Sequence, residues 1–213
     1  MSKKGKILIV ALIVCVLLAI AVTVWLLFFR APKLESVYDR VVELVEASNE
    51  LNTVFYGAGL PVYEQDSDYA NFTHMYYGFE YGKSFESVKM QSKFMTTDQI
   101  KQKAELVYSK AYLEDVLYPL AFTGYVGAEG SSVAVARYLE DENGIVQSVK
   151  AENYLKGIRI YDYSTMKITF PSNSKAFYVT MDSWLEDSPE QIVSVRLRFV
   201  LQDGQWYLDS FTG

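Results

Sequence analysis

One segment constrains this chain more than any other: Ile7 to Phe29, ILIVALIVCVLLAIAVTVWLLFF, which contains no charge and no proline. A helix of about 20 apolar residues crosses the roughly 30 Å hydrocarbon core of a bilayer. A cleaved secretion signal has an apolar region of about 7–15 residues followed by small residues. Here the run is longer and ends in bulky Trp25, Leu26, Leu27, Phe28 and Phe29 before Arg30. The sequence therefore predicts a retained, single-pass signal anchor. Residues 1–6 form a tail, 7–29 a transmembrane helix, 30–33 a linker and 34–213 one further domain. Cys15 lies in mid-span behind Leu12, Ile13 and Val14, not behind the small residues of a lipoprotein signal, and reads as a packing residue.

The flanking charges set an orientation. Lys3, Lys4 and Lys6 stand before the apolar run, Arg30 and Lys33 after it. The positive-inside bias favours a cytoplasmic N-terminus and an extracytoplasmic domain in the cell membrane. All 26 Asp and Glu lie beyond residue 30 with only 16 of the 20 Lys and Arg, so the chain beyond residue 30 carries a charge of −10. Nucleic acid and anionic membrane surfaces repel such a domain. It has no cysteine, hence no disulfide framework, which suits the outer face of a bacterial membrane better than a secreted eukaryotic setting.

Local patterns divide the domain into helices followed by strands. Pro32 should interrupt the anchor helix. Leu34, Val37, Tyr38, Val41, Leu44, Val45 and Ser48 then recur at helical spacing, predicting an amphipathic helix over about Leu34 to Asn52. Gly57-Ala58-Gly59-Leu60-Pro61 is a loop, and Met75, Tyr77, Phe79 and Tyr81 alternate as in a strand. Thr96 with Gln99 resembles a capping box ahead of a helix over 98–108. Ser109 opens a shorter helix that Pro119 should stop. From Ser132 onward the period changes to two. Val133, Val135, Arg137 and Leu139 alternate before the turn at Glu140–Gly144, and 145–150 returns. Strands follow over 158–170, 175–184 and 191–201. The last of these sets Val193, Val195, Leu197, Phe199 and Leu201 on one face, and Ser194, Arg196 and Arg198 on the other. Asp203-Gly204 turns into a closing strand over 205–211. The expected fold class is α+β, with helices on one face of a curved antiparallel sheet.

This layout, ending in RFVLQDGQWYLDSF, resembles the nuclear-transport-factor-two-like (cystatin-like) roll, whose members often end in a long strand, a Gly turn and a Trp-containing strand. The likeness covers roughly Leu34 to Gly213 in layout and rests in detail on residues 191–211. Domains of this kind on one anchor are common among uncharacterised Gram-positive membrane proteins. The arrangement is also similar to assembly subunits of conjugative type IV secretion systems. Secreted inhibitors of cell-wall hydrolases resemble it in combining small helices with strands and lacking cysteine.

The available chemistry is narrow. His74 is the one histidine and no cysteine lies outside the apolar run, so a His/Cys metal site and a cysteine nucleophile are excluded, and a Ser-His-Asp triad would have to use His74. Gly57-Ala58-Gly59 lacks the length and the Lys of a phosphate loop. No carboxylate pair is marked out: Asp66 with Asp68, Glu140-Asp141-Glu142 and Glu186-Asp187 all fall in turn-like segments, where solvated acids are the default. No catalytic residue, metal or cofactor is expected. Candidate binding residues are the aromatic group Tyr76, Tyr77, Phe79 and Tyr81, which suits protein interfaces, and Arg137, Arg196 and Arg198, for an anionic ligand or acidic partner. The expected function is a non-catalytic envelope module that binds another cell-envelope protein, the alternative a pocket that binds or hydrolyses a small envelope ligand.

Overall fold

Ahead of the domain, residues 12–23 are helical, and Leu12, Ile13, Val14, Val16, Leu17, Leu18, Ile20 and Val22 are all exposed. The computed structural model describes residues 12–23, 31–63, 85–89, 92–126, 132–134, 136–141, 144–148, 153–169 and 171–213. Among these no helix is long and apolar enough to cross a membrane; the expected span over 7–29 extends beyond the described helical stretch at both ends.

The first domain helix, α1 (Leu34–Phe55), starts two residues after Pro32 and runs one turn past the expected end. Val37, Val41, Leu44, Val45, Ser48, Leu51, Asn52, Val54 and Phe55 are its buried positions, recurring every three or four residues as one stripe requires. Helix α2 (Thr97–Glu105) begins where Thr96 Oγ1 accepts the Gln99 N–H at 3.2 Å. The Gln99 side chain returns to the N–H of Met95 at 2.7 Å, one residue earlier than in a strict capping box. Glu140, expected as a solvated turn acid, accepts the Thr97 N–H at 2.7 Å, adding a carboxylate where the helix N-terminus is positive.

Helix α3 (Lys110–Tyr112) is capped by Ser109, whose Oγ accepts the Tyr112 N–H at 3.1 Å. It does not stop at Pro119. The chain continues through two π-helical turns, Leu113–Leu117 and Pro119–Thr123. Pro119 heads the second, where a missing N–H has no helical partner to lose, and Gly124 at φ 70° ends it by donating to Pro119 O at 2.8 Å.

Among the described residues the strands form three antiparallel sheets, where the sequence pattern led to the expectation of one curved sheet. In the first, β1 (Phe85–Ser87) and β4 (Tyr138–Asp141) flank β5 (Gly144–Ser148). The second joins β2 (Tyr125–Val126) to β3 (Ser132–Ala134). The expected continuous alternation over 133–139 breaks at Arg137, which turns inward. The third and largest sheet has the order β6 (Arg159–Thr169), β7 (Ala176–Leu185), β8 (Ser188–Gln202), β9 (Gln205–Leu208). Asp203 and Gly204 have φ of 49° and 80°, the paired positive values of a type I′ hairpin turn.

Cross-strand pairing assigns the faces of this sheet. Phe177 lies opposite Phe199, Val179 opposite Leu197 and Met181 opposite Val195. Phe177 and Phe199 are fully buried, their rings stacked at 5.1 Å, and Trp206 meets Phe177 edge-on at 4.6 Å. Such pairs hold a core by area and by ring geometry together. Helix α1 covers this face: Arg40 donates to Trp206 O at 3.0 Å, and the Tyr163 hydroxyl donates to Glu46 at 2.6 Å. The expected apolar stripe of β8 is buried only in its middle. Leu197 and Phe199 are covered, whereas Val193 and Leu201 are exposed.

Candidate functional site

The end of α1 nearest Phe55 is built from polar residues set into an apolar stripe. Ser48 and Asn52 occupy buried positions, and both meet Thr212, which is 2% exposed. Ser48 Oγ donates to Val45 O at 2.6 Å, which uses its one hydrogen. In the 2.6 Å contact between Ser48 Oγ and Thr212 Oγ1, Thr212 is therefore the donor. Thr212 Oγ1 in turn accepts from Asn52 Nδ2 at 2.7 Å. The Tyr161 hydroxyl donates to Thr212 O, and the Tyr108 hydroxyl reaches Asn52 Oδ1 at 3.4 Å. Burial pushes the Tyr108 and Tyr161 hydroxyls well above the ordinary phenol value. The closing strand, expected to run to Phe211, ends at Leu208 so that residues 209–213 can enter this network.

Arg137 belongs to the same frame. Expected on an open sheet face, it is 4% exposed and donates to Gly57 O. Gln147 works beside it: its Oε1 accepts the Leu60 N–H at 2.7 Å and its Nε2 donates to Ala58 O at 3.0 Å. Two buried side chains thus hold the Gly57–Leu60 loop against the end of α1. Gly59 takes φ 83°, and a Cβ there would run into the Gln147 amide. The Tyr138 hydroxyl, donating to Val54 O at 2.8 Å, is pushed up to about 12, chiefly by burial.

This frame borders a cleft of about 210 Å³, lined by Asn49 and Thr53 of α1, Gly57, Leu155, Ile158 and Arg159 among others. Arg159 also donates to Ser183 Oγ at 3.0 Å. Among the described residues the lining side chains offer amides, a hydroxyl and one guanidinium, and none is Asp, Glu, His or Cys. It can hold a small polar or anionic group through the Arg159 guanidinium and the Asn side chains. Among the described residues, no group of three or more His, Cys, Asp and Glu is placed to hold a metal ion.

The other face of the large sheet is a separate surface. Pairing sets Lys167, Thr180 and Arg196 in one row, Asp162, Asp182 and Ser194 in the next, and Ile160 with Trp184 in a third. Tyr178 and Arg198 sit opposite each other beyond the first row, and none of these residues is buried. The Arg196 guanidinium lies over the Tyr178 ring, 3.9 Å from its centroid. Arg198 is clamped to Asp209, whose carboxylate also accepts from Ser109. Arg196 and Arg198 thus share the exposed face as expected, and Arg137 lies apart from them in the core. Tyr76, Tyr77, Phe79, Tyr81 and His74 lie outside the described residues. Sequence reasoning missed Asn52, Gln147, Arg159 and Thr212. The signal for Asn52 was there: a polar residue four positions after Ser48, on the buried stripe.

These contacts define a class of fold, an α+β domain of helices and antiparallel sheets. No protein-family model, curated protein or solved structure matches this chain.

Proposed function

We propose that the chain is a non-catalytic, single-pass protein of the bacterial cell envelope, whose extracytoplasmic domain binds another envelope protein. In this reading residues 7–29 span the membrane with the N-terminus cytoplasmic. The exposed apolar helix over 12–23 supports that, since a helix apolar on every side is solvated by lipid or by other apolar helices. The large sheet with α1 across it is read as the core of a nuclear-transport-factor-two-like roll, supported by the long β8, the Asp203-Gly204 turn and the Trp206 strand.

The observation that carries the binding reading is the outer face of that sheet. It sets a basic and aromatic band (Lys167, Tyr178, Arg196) beside an acidic row (Asp162, Asp182) and an apolar row (Ile160, Trp184), with no buried residue in any of them. Banded chemistry of this kind suits a protein surface, which can match charge and apolar area together. A photo-crosslinking residue at Thr180 of the full-length chain, in its native membrane, should capture one abundant envelope protein. Arg196→Glu and Asp182→Lys should each abolish the capture. No captured protein, or capture indifferent to both substitutions, overturns the reading. The cleft at the end of α1 favours a second reading, a pocket for a small anionic envelope ligand. Arg159→Ala should then remove ligand binding and leave the Thr180 crosslink intact.

A further inference from the structure

The cleft at the end of α1 has an uneven balance of hydrogen-bond donors and acceptors. Three of its main-chain acceptors are engaged: Gly57 O takes Arg137, Ala58 O takes Gln147 and Ile158 O takes the Glu186 N–H. Asn52 is committed to Thr212 and Tyr108. Asn153 spends its Oδ1 on the Leu155 N–H at 3.0 Å, which leaves its amide hydrogens for the cleft. Arg159 gives Ser183 Oγ one N–H of its five. Among the described residues Arg159 forms no ion pair, and the Asn49 amide and Thr53 hydroxyl make no hydrogen bond. What is left over is mostly donors, gathered around one guanidinium. Such a set is complementary to a negatively charged group rich in acceptors.

Building on the pocket reading of this cleft, we propose that it takes the last residue of a peptide, with the free carboxylate on Arg159. Three features narrow the ligand to that chemistry. A single cation, in a chain with 26 acidic against 20 basic side chains, suits a monoanion better than a doubly charged phosphate. Asn49 offers an N–H and a C=O side by side, the complement of one peptide group. Leu155 and Ile158 add an apolar wall for a short side chain, Ile158 being 60% exposed. The volume of about 210 Å³ lies below the roughly 300–1,000 Å³ of pockets that enclose a drug-sized ligand, so the end of a longer molecule enters and the rest stays outside. Arg137 and Gln147 hold the Gly57–Leu60 loop in place beforehand, which lowers the cost of ordering the cleft around a ligand. Chain ends made of L-residues and of D-residues share this chemistry and differ in hand.

The test titrates the full-length chain in detergent with acetyl-alanyl-alanine, in its L,L and D,D forms, by isothermal calorimetry. Acetate, inorganic phosphate and the C-terminal methylamide of each peptide are titrated alongside. At least one peptide acid should bind, one per chain, and the form that binds gives the hand of the natural chain end. Its methylamide, which lacks the charge, should bind at least about tenfold more weakly. Arg159→Ala should weaken the acid by the same factor and bring acid and methylamide level. Asn49→Asp, at a side chain that no other element leans on, should abolish binding and leave the melting temperature near the parent's. No binding of either peptide acid overturns the proposal, as does binding that the methylamide or both substitutions leave unchanged. Arg159-dependent binding of acetate or phosphate without the peptides would overturn the peptide assignment and keep the pocket reading. No binding of any probe would overturn both.

Discussion

Replacing Thr212 by valine keeps the shape of the side chain and removes its hydroxyl, which isolates the polar network at the end of α1. Thr212 is 2% exposed, and its Oγ1 is both the acceptor for Asn52 Nδ2 at 2.7 Å and the donor to Ser48. In Thr212→Val, Ser48 still donates to Val45 O, but a buried Asn52 N–H faces a methyl group. Leaving such a donor unmade costs about 1–3 kcal/mol, so a net loss of roughly 2 kcal/mol is expected. For a domain of this size that is roughly 4–8 °C in Tm, at about 2–4 °C per kcal/mol. Thr212→Ser keeps both hydrogen bonds and loses one methyl, costing about 0.8 kcal/mol. Ser48→Ala added to Thr212→Val should cost less than the sum of the two, because they share a bond. The assay is thermal unfolding of the full-length chain in detergent, followed by circular dichroism. A Thr212→Val chain that melts with the parent refutes the network, as does one that melts above Thr212→Ser.

Alkaline stability should follow the buried tyrosines. Their hydroxyls have an ordinary value of 10.0, and Tyr138 is raised to about 12 in the fold. Above pH 10 the unfolded chain loses protons that the folded chain keeps, so stability is complete below pH 10 and falls toward pH 12, at about 1.4 kcal/mol per pH unit for each such group. Stability to denaturant, followed by circular dichroism, should therefore fall between pH 10 and pH 12, and a chain as stable at pH 12 as below pH 10 would contradict this. Gly59→Ala, forced to φ 83° against Gln147, should lose about 1–3 kcal/mol in denaturant titration. Phe199→Ala, at the fully buried ring pair, should lose about 3–5 kcal/mol. Arg198→Ala, which leaves the buried Asp209 side chain without its cation, should lose about 1–3 kcal/mol.

The helices were legible because their signals are local. The stripe from Val37 to Ser48 and the caps at Thr96 and Ser109 need only neighbours three or four residues away. The strands of the large sheet were legible for the same reason, with Asp203-Gly204 between the last two. What escaped was decided at long range. Nothing near Arg137 says that Gly57, eighty residues earlier, will take its guanidinium and break the alternation over 133–139. Nothing near Thr212 announces Ser48 and Asn52. Pro119 misled because the rule that proline ends helices assumes an α-helical register, and this chain switches to π turns. Of the candidate site, only Arg196 and Arg198 could be given a common face from period alone. The rows that surround them depend on which strands pair, and that is a property of the folded sheet.

The central claim is a folded domain held outside the cell membrane on a single anchor. Ser194→Cys, exposed on β8, in a Cys15→Ser background gives the full-length chain one reactive thiol in the domain. Intact cells would be treated with a membrane-impermeant maleimide. The account predicts that Ser194→Cys is labelled to the same extent before and after permeabilisation, with the protein in the membrane fraction. Labelling that requires permeabilisation, or a protein recovered without membrane, would contradict it.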